Sequence, residues 1–120
     1  MSASASWRTH VCGQPRPEDQ GEEVLLCGWV HSRRDHGGIA FVDLRDRTGL
    51  IQLVGDEDSP DEVRQALESL RSEDVIQAGG LLRLRDAENI NPDLATGKVE
   101  LHVRTLKVLS RSETPPFEID

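Results

Sequence analysis

Between Leu26 and Asp46, two strand-like runs flank a pair of glycines. Leu26-Cys27-Gly28-Trp29-Val30-His31 leads through Ser32-Arg33-Arg34-Asp35-His36-Gly37-Gly38 into Ile39-Ala40-Phe41-Val42-Asp43-Leu44-Arg45-Asp46. Alternation in the second run puts Ala40, Val42 and Leu44 on one face and Ile39, Phe41, Asp43 and Arg45 on the other. That pattern dictates strand, basic tight turn, strand, with one face only half covered. It leaves an aromatic ring, Phe41, outside the apolar set and arginines beside the turn. A ring on an open sheet face can stack on a base, and arginines can hold phosphates. The combination points to single-stranded nucleic acid on a small β-barrel.

The rest of the chain supplies the other elements. Val24–His31 reads as the first strand, apolar on both faces as in a strand curling through a barrel. Asp46-Arg47-Thr48-Gly49 reads as a hairpin turn. Leu50–Val54 is the third strand, with Ile51 and Leu53 on one face and Gln52 on the opposite one. A helix follows, with Ser59 as its cap, Pro60 in the first turn and Glu62 completing a Ser-x-x-Glu capping box. Val63, Ala66, Leu67 and Leu70 form its apolar stripe. Val75–Arg85 is the fourth strand, with a bend or bulge at Gly79-Gly80, and residues 86–97 form a polar loop. Lys98–Leu109 is the fifth strand. It sets Val99, Leu101 and Val103 against Glu100, His102 and Arg104, and then the apolar phase slips to Leu106 and Val108, as a bulge would cause. Three strands, one helix and two strands is the order of the OB-fold. The expected class is therefore all-β with one helix, a five-stranded Greek-key barrel with the helix between strands 3 and 4. Residues 1–7 read as a flexible tail, 8–110 as the domain, and 111–120, with Ser112-Glu113-Thr114-Pro115-Pro116-Phe117, as a linker.

Overall charge opposes a nucleic-acid partner, because the 120 residues carry a formal net charge of −8. The acid is unevenly spread. Residues 56–74 hold eight carboxylates against two arginines, whereas residues 31–48 hold four arginines against three carboxylates. The acidic side and the binding side can therefore be different sides. No apolar run reaches membrane-spanning length, and the Met1–Ser6 start has neither the basic end nor the apolar centre of a secretory signal. Cys12 and Cys27 lack metal-ligand spacing, as do His10, His31, His36 and His102. Free buried thiols in a cytosolic protein are the preferred reading of the two cysteines, with a disulfide the alternative. Asp35, Asp43 and Asp46 are better explained as surface ion-pair partners than as a magnesium cluster. No phosphate loop or nucleophile motif is present.

Three side chains carry base-reading chemistry, each beside a plainer explanation. Phe41 is a stacking platform or a core ring on a barrel buried on both faces. Gln52 offers the donor and acceptor that uracil complements, or is a solvated strand glutamine. Glu100 can accept both N1–H and the 2-amino group of guanine, or is a solvated strand carboxylate.

In order along the chain, Arg8-Thr9-His10, Cys12-Gly13, Leu26–His31, Arg33–Gly38, Phe41–Arg47, Asn91-Pro92, Thr96-Gly97 and Ser112–Phe117 resemble the N-terminal anticodon-binding domain of bacterial-type aspartyl-tRNA synthetases. Val11 departs from the family's frequent tyrosine and Ser32 from its frequent third arginine. The resemblance implies recognition of the tRNA(Asp) anticodon G34-U35-C36, with tRNA(Asn) a further partner if C36 is not demanded. It implies that Phe41 stacks on the middle base, Gln52 reads uracil and Glu100 reads G34. It places Arg85 in the G34 region, Arg34 on the anticodon loop, and His36 near position 36. Asn89 and Asn91 lie in the loop between strands 4 and 5, one of the binding loops of the fold, and are expected to contact the RNA, with turn chemistry the plainer explanation. The family joins this domain to a class II catalytic domain that uses ATP and magnesium, and its members are cytoplasmic homodimers. No catalytic residue or cofactor is expected in this chain, which should not aminoacylate by itself. The competing classes are a general single-strand binder of the same fold and a dimerisation module.

Overall fold

The computed structural model describes residues 8–111. The expected tail and the Ser112–Phe117 run lie outside them. The described chain forms strands β1 (Glu23–His36), β2 (Ile39–Asp46) and β3 (Gly49–Gly55), helix α1 (Asp61–Glu68), and strands β4 (Val75–Leu84) and β5 (Val99–Ser110). The strands close into one barrel in the order β1-β2-β3-β5-β4. Every pairing is antiparallel except β3 with β5, which run parallel. The helix falls between strands 3 and 4, and the architecture is the OB-fold.

Alternation builds the interior. Val42, Leu44, Ile51, Leu53, Leu101 and Val99 are completely sequestered from solvent, together with Leu26, Val30, Ile76, Ala78 and Leu82. Each fully buried leucine or isoleucine side chain stabilises the fold by about 1.5–3 kcal/mol. Helix α1 closes the barrel by inserting Val63 and Leu67, and Leu70 just past its end is buried too, while Ala66 is only half-buried. Gly55 permits this approach, because a β-carbon there would collide with Leu67 Cδ1.

Both expected slips of phase occur. Gly79 pairs with Thr105 but Gly80 with Val103, so Arg104 is the extra residue of a bulge that returns Leu106 and Val108 to the core side. A bulge within β1 was not expected. Val30 pairs with Leu44 and Ser32 with Asp43, which leaves His31 out of register.

Two expectations are corrected. Strand β1 does not end at His31 but continues to His36, which pairs with Ile39. The turn is only Gly37-Gly38, whose φ values of 59° and 84° are the pair a two-residue hairpin needs. The arginines therefore stand on a strand, not in a loop. Ser59 does not cap α1. Pro60 is the N-cap, with no side-chain cap bond and no capping box. The Ser59 hydroxyl turns inward and accepts from the Asp56 amide at 3.2 Å. The extended Pro60 backbone moves the helix start one residue onward, out of that hydroxyl's reach.

Both cysteines are buried, and neither is in a disulfide. Burial, reinforced by the nearby Asp46 carboxylate, pushes the Cys12 thiol far above its ordinary range. Burial works to raise Asp46 itself, but bonds from the Cys12 amide and from the Thr48 hydroxyl and amide outweigh it and hold the carboxylate below its usual value. These bonds tie the β2–β3 turn to the segment entering the barrel. At the far end, Arg111 donates to the fully buried Asp74 carboxylate at 3.0 Å, pinning the end of β5 to the start of β4.

Candidate nucleic-acid interface

Two rows of outward side chains cross the barrel wall. Strand pairing aligns Ser32, Asp43, Gln52, Glu100 and Arg83 in one row and Arg34, Phe41, Val54, His102 and Leu81 in the next. The His31 bulge is what turns Ser32, Arg34 and His36 onto this face. Without it they would fall in the opposite phase. The rows floor a groove of about 980 Å³, whose rim includes His36, Arg85, Asn89 and Asn91.

Phe41 is half-buried on the outer face, and the Arg34 guanidinium lies 5.4 Å from its ring centroid. Cation–π attraction holds such a pair together. Arg34 also donates Nη1 to Asp43 Oδ2 at 3.3 Å and Nη2 to Gln52 Oε1 at 2.7 Å. Gln52 is neither solvated nor open, being only 3% exposed. Its Nε2 donates to Glu100 Oε1 at 3.0 Å. The other Glu100 oxygen lies 2.8 Å from His102 Nε2, and His102 Nδ1 lies 3.3 Å from Asp56 Oδ2. Asp43, Arg34, Gln52, Glu100, His102 and Asp56 thus form one continuous polar chain across the site.

The remaining sequence candidates divide by what their polar atoms already do. Arg85 donates Nε to Val99 O at 3.0 Å and Nη1 to Asn89 O at 3.2 Å, so it braces the β4–β5 loop and keeps Nη2 for a ligand. Burial pushes its guanidinium down from the ordinary value and Arg34 adds to this, while Glu100 and Asp43 oppose it. Asn91 Oδ1 accepts from the Asp93 amide, a turn-forming bond. The Asn89 side chain has no hydrogen-bond partner among the described residues and stands exposed. His36 is exposed at the end of β1, beside the glycine turn. Arg33 and Asp35 pair with each other at 2.8 Å.

Sequence reasoning missed Asp43, Asp56 and His102 as members of the site. Alternation had put Asp43 and His102 on the polar face, with His102 two residues from Glu100, but the parallel β3–β5 pairing is what brings Asp56 to His102. The groove rim and floor hold three arginines against five carboxylates. Attraction for phosphate is therefore weak here, and base-edge chemistry must supply the selectivity. A second hollow, between the β1–β2 hairpin and α1, is lined by Asp35, Asp61 and Glu68 with Arg64 and is unsuited to a polyanion. Among the described residues, no group of three or more His, Cys, Asp or Glu side chains could hold a metal ion.

Residues 24–109 match the model of the tRNA anticodon family, described as an OB-fold nucleic acid binding domain. The chain belongs to that family. Its relatives sharpen the picture. Over 113 residues it is 50% identical to the aspartate–tRNA(Asp/Asn) ligase of Caldanaerobacter subterraneus, covering 94% of this chain and 19% of that protein. It is 49% identical to the aspartate–tRNA ligase of Staphylococcus epidermidis, again over 94% of this chain and 19% of the relative. The chain thus spans about a fifth of the length of the curated relatives it matches. Among solved structures, asparaginyl-tRNA synthetase from Pyrococcus horikoshii superposes with a TM-score of 0.73 and 26% identity over 87% of this chain and 23% of that one. An OBody bound to hen egg-white lysozyme superposes with a TM-score of 0.76 and 25% identity over 88% of this chain and 95% of that one. This anticodon-binding domain is therefore the kind found in aspartyl-tRNA ligases.

Proposed function

We propose that the outer face of β1, β2, β3 and β5 binds the anticodon loop of tRNA(Asp), reading G34-U35-C36. The observation that carries the reading is a half-exposed ring, Phe41, in the row beside a carboxylate, Glu100, with Gln52 bridging from that carboxylate to Arg34 over the ring. In this reading the middle base stacks on Phe41. Its edge meets Gln52 once Arg34 lifts from Oε1 and turns to the loop backbone. Glu100 accepts from guanine N1–H and the 2-amino group. Arg85 and Asn89 flank the 34 side, Asn91 shapes the loop that holds them, and His36 stands near position 36. The domain serves a cytoplasmic, homodimeric, ATP- and magnesium-dependent aspartate–tRNA ligase and contributes recognition without catalysis.

His36 bears on whether tRNA(Asn) is also accepted, since the aspartate and asparagine anticodons differ only as C36 against U36. Relatives of both kinds, named for tRNA(Asp) and for tRNA(Asp/Asn), match this chain nearly equally. A second reading, a protein-binding face, draws support from the OBody, a similar barrel that is bound to lysozyme.

Fluorescence anisotropy with labelled stem-loops separates these readings. The GUC loop is expected to bind at least about tenfold tighter than a scrambled loop, since each mismatched base typically costs about 1–3 kcal/mol. The acidic lining should keep the salt slope shallow, at about −0.7 per phosphate contact. Equal affinity for GUC and scrambled loops would leave a general single-strand binder. No RNA binding at low salt would leave the protein-binding reading. A GUU loop bound as well as GUC would mark a domain that accepts both tRNAs, and a wide gap would remove that role from the His36 region.

A further inference from the structure

We infer that His102, backed by Asp56, is a positioning residue that fixes the Glu100 carboxylate in the orientation needed to select guanine. The inference rests on the proposed role of Glu100 and deepens it.

A carboxylate offers about four acceptor sites. Gln52 Nε2 takes one on Oε1 at 3.0 Å, and His102 Nε2 takes one on Oε2 at 2.8 Å. Held from both sides, Glu100 keeps one acceptor site on each oxygen, which is the number guanine's N1–H and 2-amino group require. The clamp matters because of what surrounds it. Arg83 is the cross-strand neighbour of Glu100 on β4, Arg34 reaches the same Gln52, and Arg85 lies close enough for its charge to couple to Glu100. A Glu100 released from His102 would turn to an arginine and bury its acceptor sites in an ion pair.

Both ring nitrogens of His102 face carboxylate oxygens, Nε2 toward Glu100 on its own strand and Nδ1 toward Asp56 at the end of β3. The strand neighbours of His102 on β3 and β4 are Val54 and Leu81, which carry no charge. With a carboxylate on each side, the ring is held in place and its Nε2 stays on Glu100 Oε2.

The test compares Kd values of the 120-residue chain for a GUC stem-loop and for the same loop with inosine at position 34, which lacks the 2-amino group. The native chain should prefer guanine by about tenfold, the worth of one charge-assisted hydrogen bond. His102→Leu should bring the ratio close to one. His102→Gln keeps a donor toward Glu100 and should restore much of the ratio. If the native chain prefers guanine and His102→Leu keeps the full ratio, the positioning role is overturned. If the native chain shows no preference for guanine, the assignment of Glu100 falls and this inference falls with it.

Discussion

Replacing Phe41 with alanine is expected to weaken binding of the GUC stem-loop by about 1–3 kcal/mol, or roughly 5- to 150-fold in Kd, the usual worth of one base–aromatic stack. The melting temperature should barely move. The ring stands half-exposed on the outer wall, where it meets Arg34 and pairs across with Val54, and it is not among the core side chains. Surface truncations away from a core cavity usually change stability by about 0.5 kcal/mol or less. Phe41→Trp should keep most of the affinity, because stacking tolerates any flat ring. A large fall in melting temperature with unchanged affinity of the folded fraction would make Phe41 a structural residue and remove the platform.

Replacing Glu100 with glutamine is expected to abolish preference for guanine at position 34. The substitution keeps shape and volume but puts an NH2 where guanine also presents donors. Losing a charge-assisted bond and opposing donor to donor should cost the guanine loop about 1.5–3 kcal/mol, roughly 10- to 150-fold. The groove also loses one of its five carboxylates, which raises affinity for any polyanion. The decisive reading is therefore the ratio between GUC and a loop altered at position 34, not the affinity for either. An unchanged ratio in Glu100→Gln would refute the role given to that carboxylate. The same variant also changes a partner of His102 and of Gln52, so melting curves should accompany the binding data.

The barrel was legible because its strands are half-buried. Alternation along Ile39–Arg45 and Val99–Val103 separates core from outer wall. The slip from Val103 to Leu106 and the paired Gly79-Gly80 announced the same bulge from both of the strands that form it. The helix was legible from its stripe but not from its cap, because Ser59 competes for a local turn with Asp56 and Pro60 moves the start. The last third of β1 was hidden. Ser32–His36 carries no apolar alternation, since the hairpin projects past the core and only the register with β2 makes it a strand.

The site was legible as a face and not as a network. Alternation put Phe41, Gln52 and Glu100 on one wall, so the residues with base-reading chemistry could be named. It could not show that Gln52 is buried, because the groups that cover it come from β1 and β5 and are brought there by long-range pairing. Asp56 was read only as part of an acidic segment. His102 was read only as a polar strand position without metal spacing. The meeting of Asp56 with His102 depends on the parallel β3–β5 contact, which no local pattern encodes.

The central claim is that one wall of the barrel reads the anticodon, and amide chemical-shift mapping by NMR tests it most directly. Titrating the GUC stem-loop into the isotopically labelled chain should move the signals of Arg34, Phe41, Gln52, Glu100 and His102, with those of the Arg85–Asn91 loop. Helix α1 should stay still. Shifts confined to α1, or to the opposite side around Leu25 and Thr105, with the Phe41 and Glu100 signals unmoved, would contradict the account.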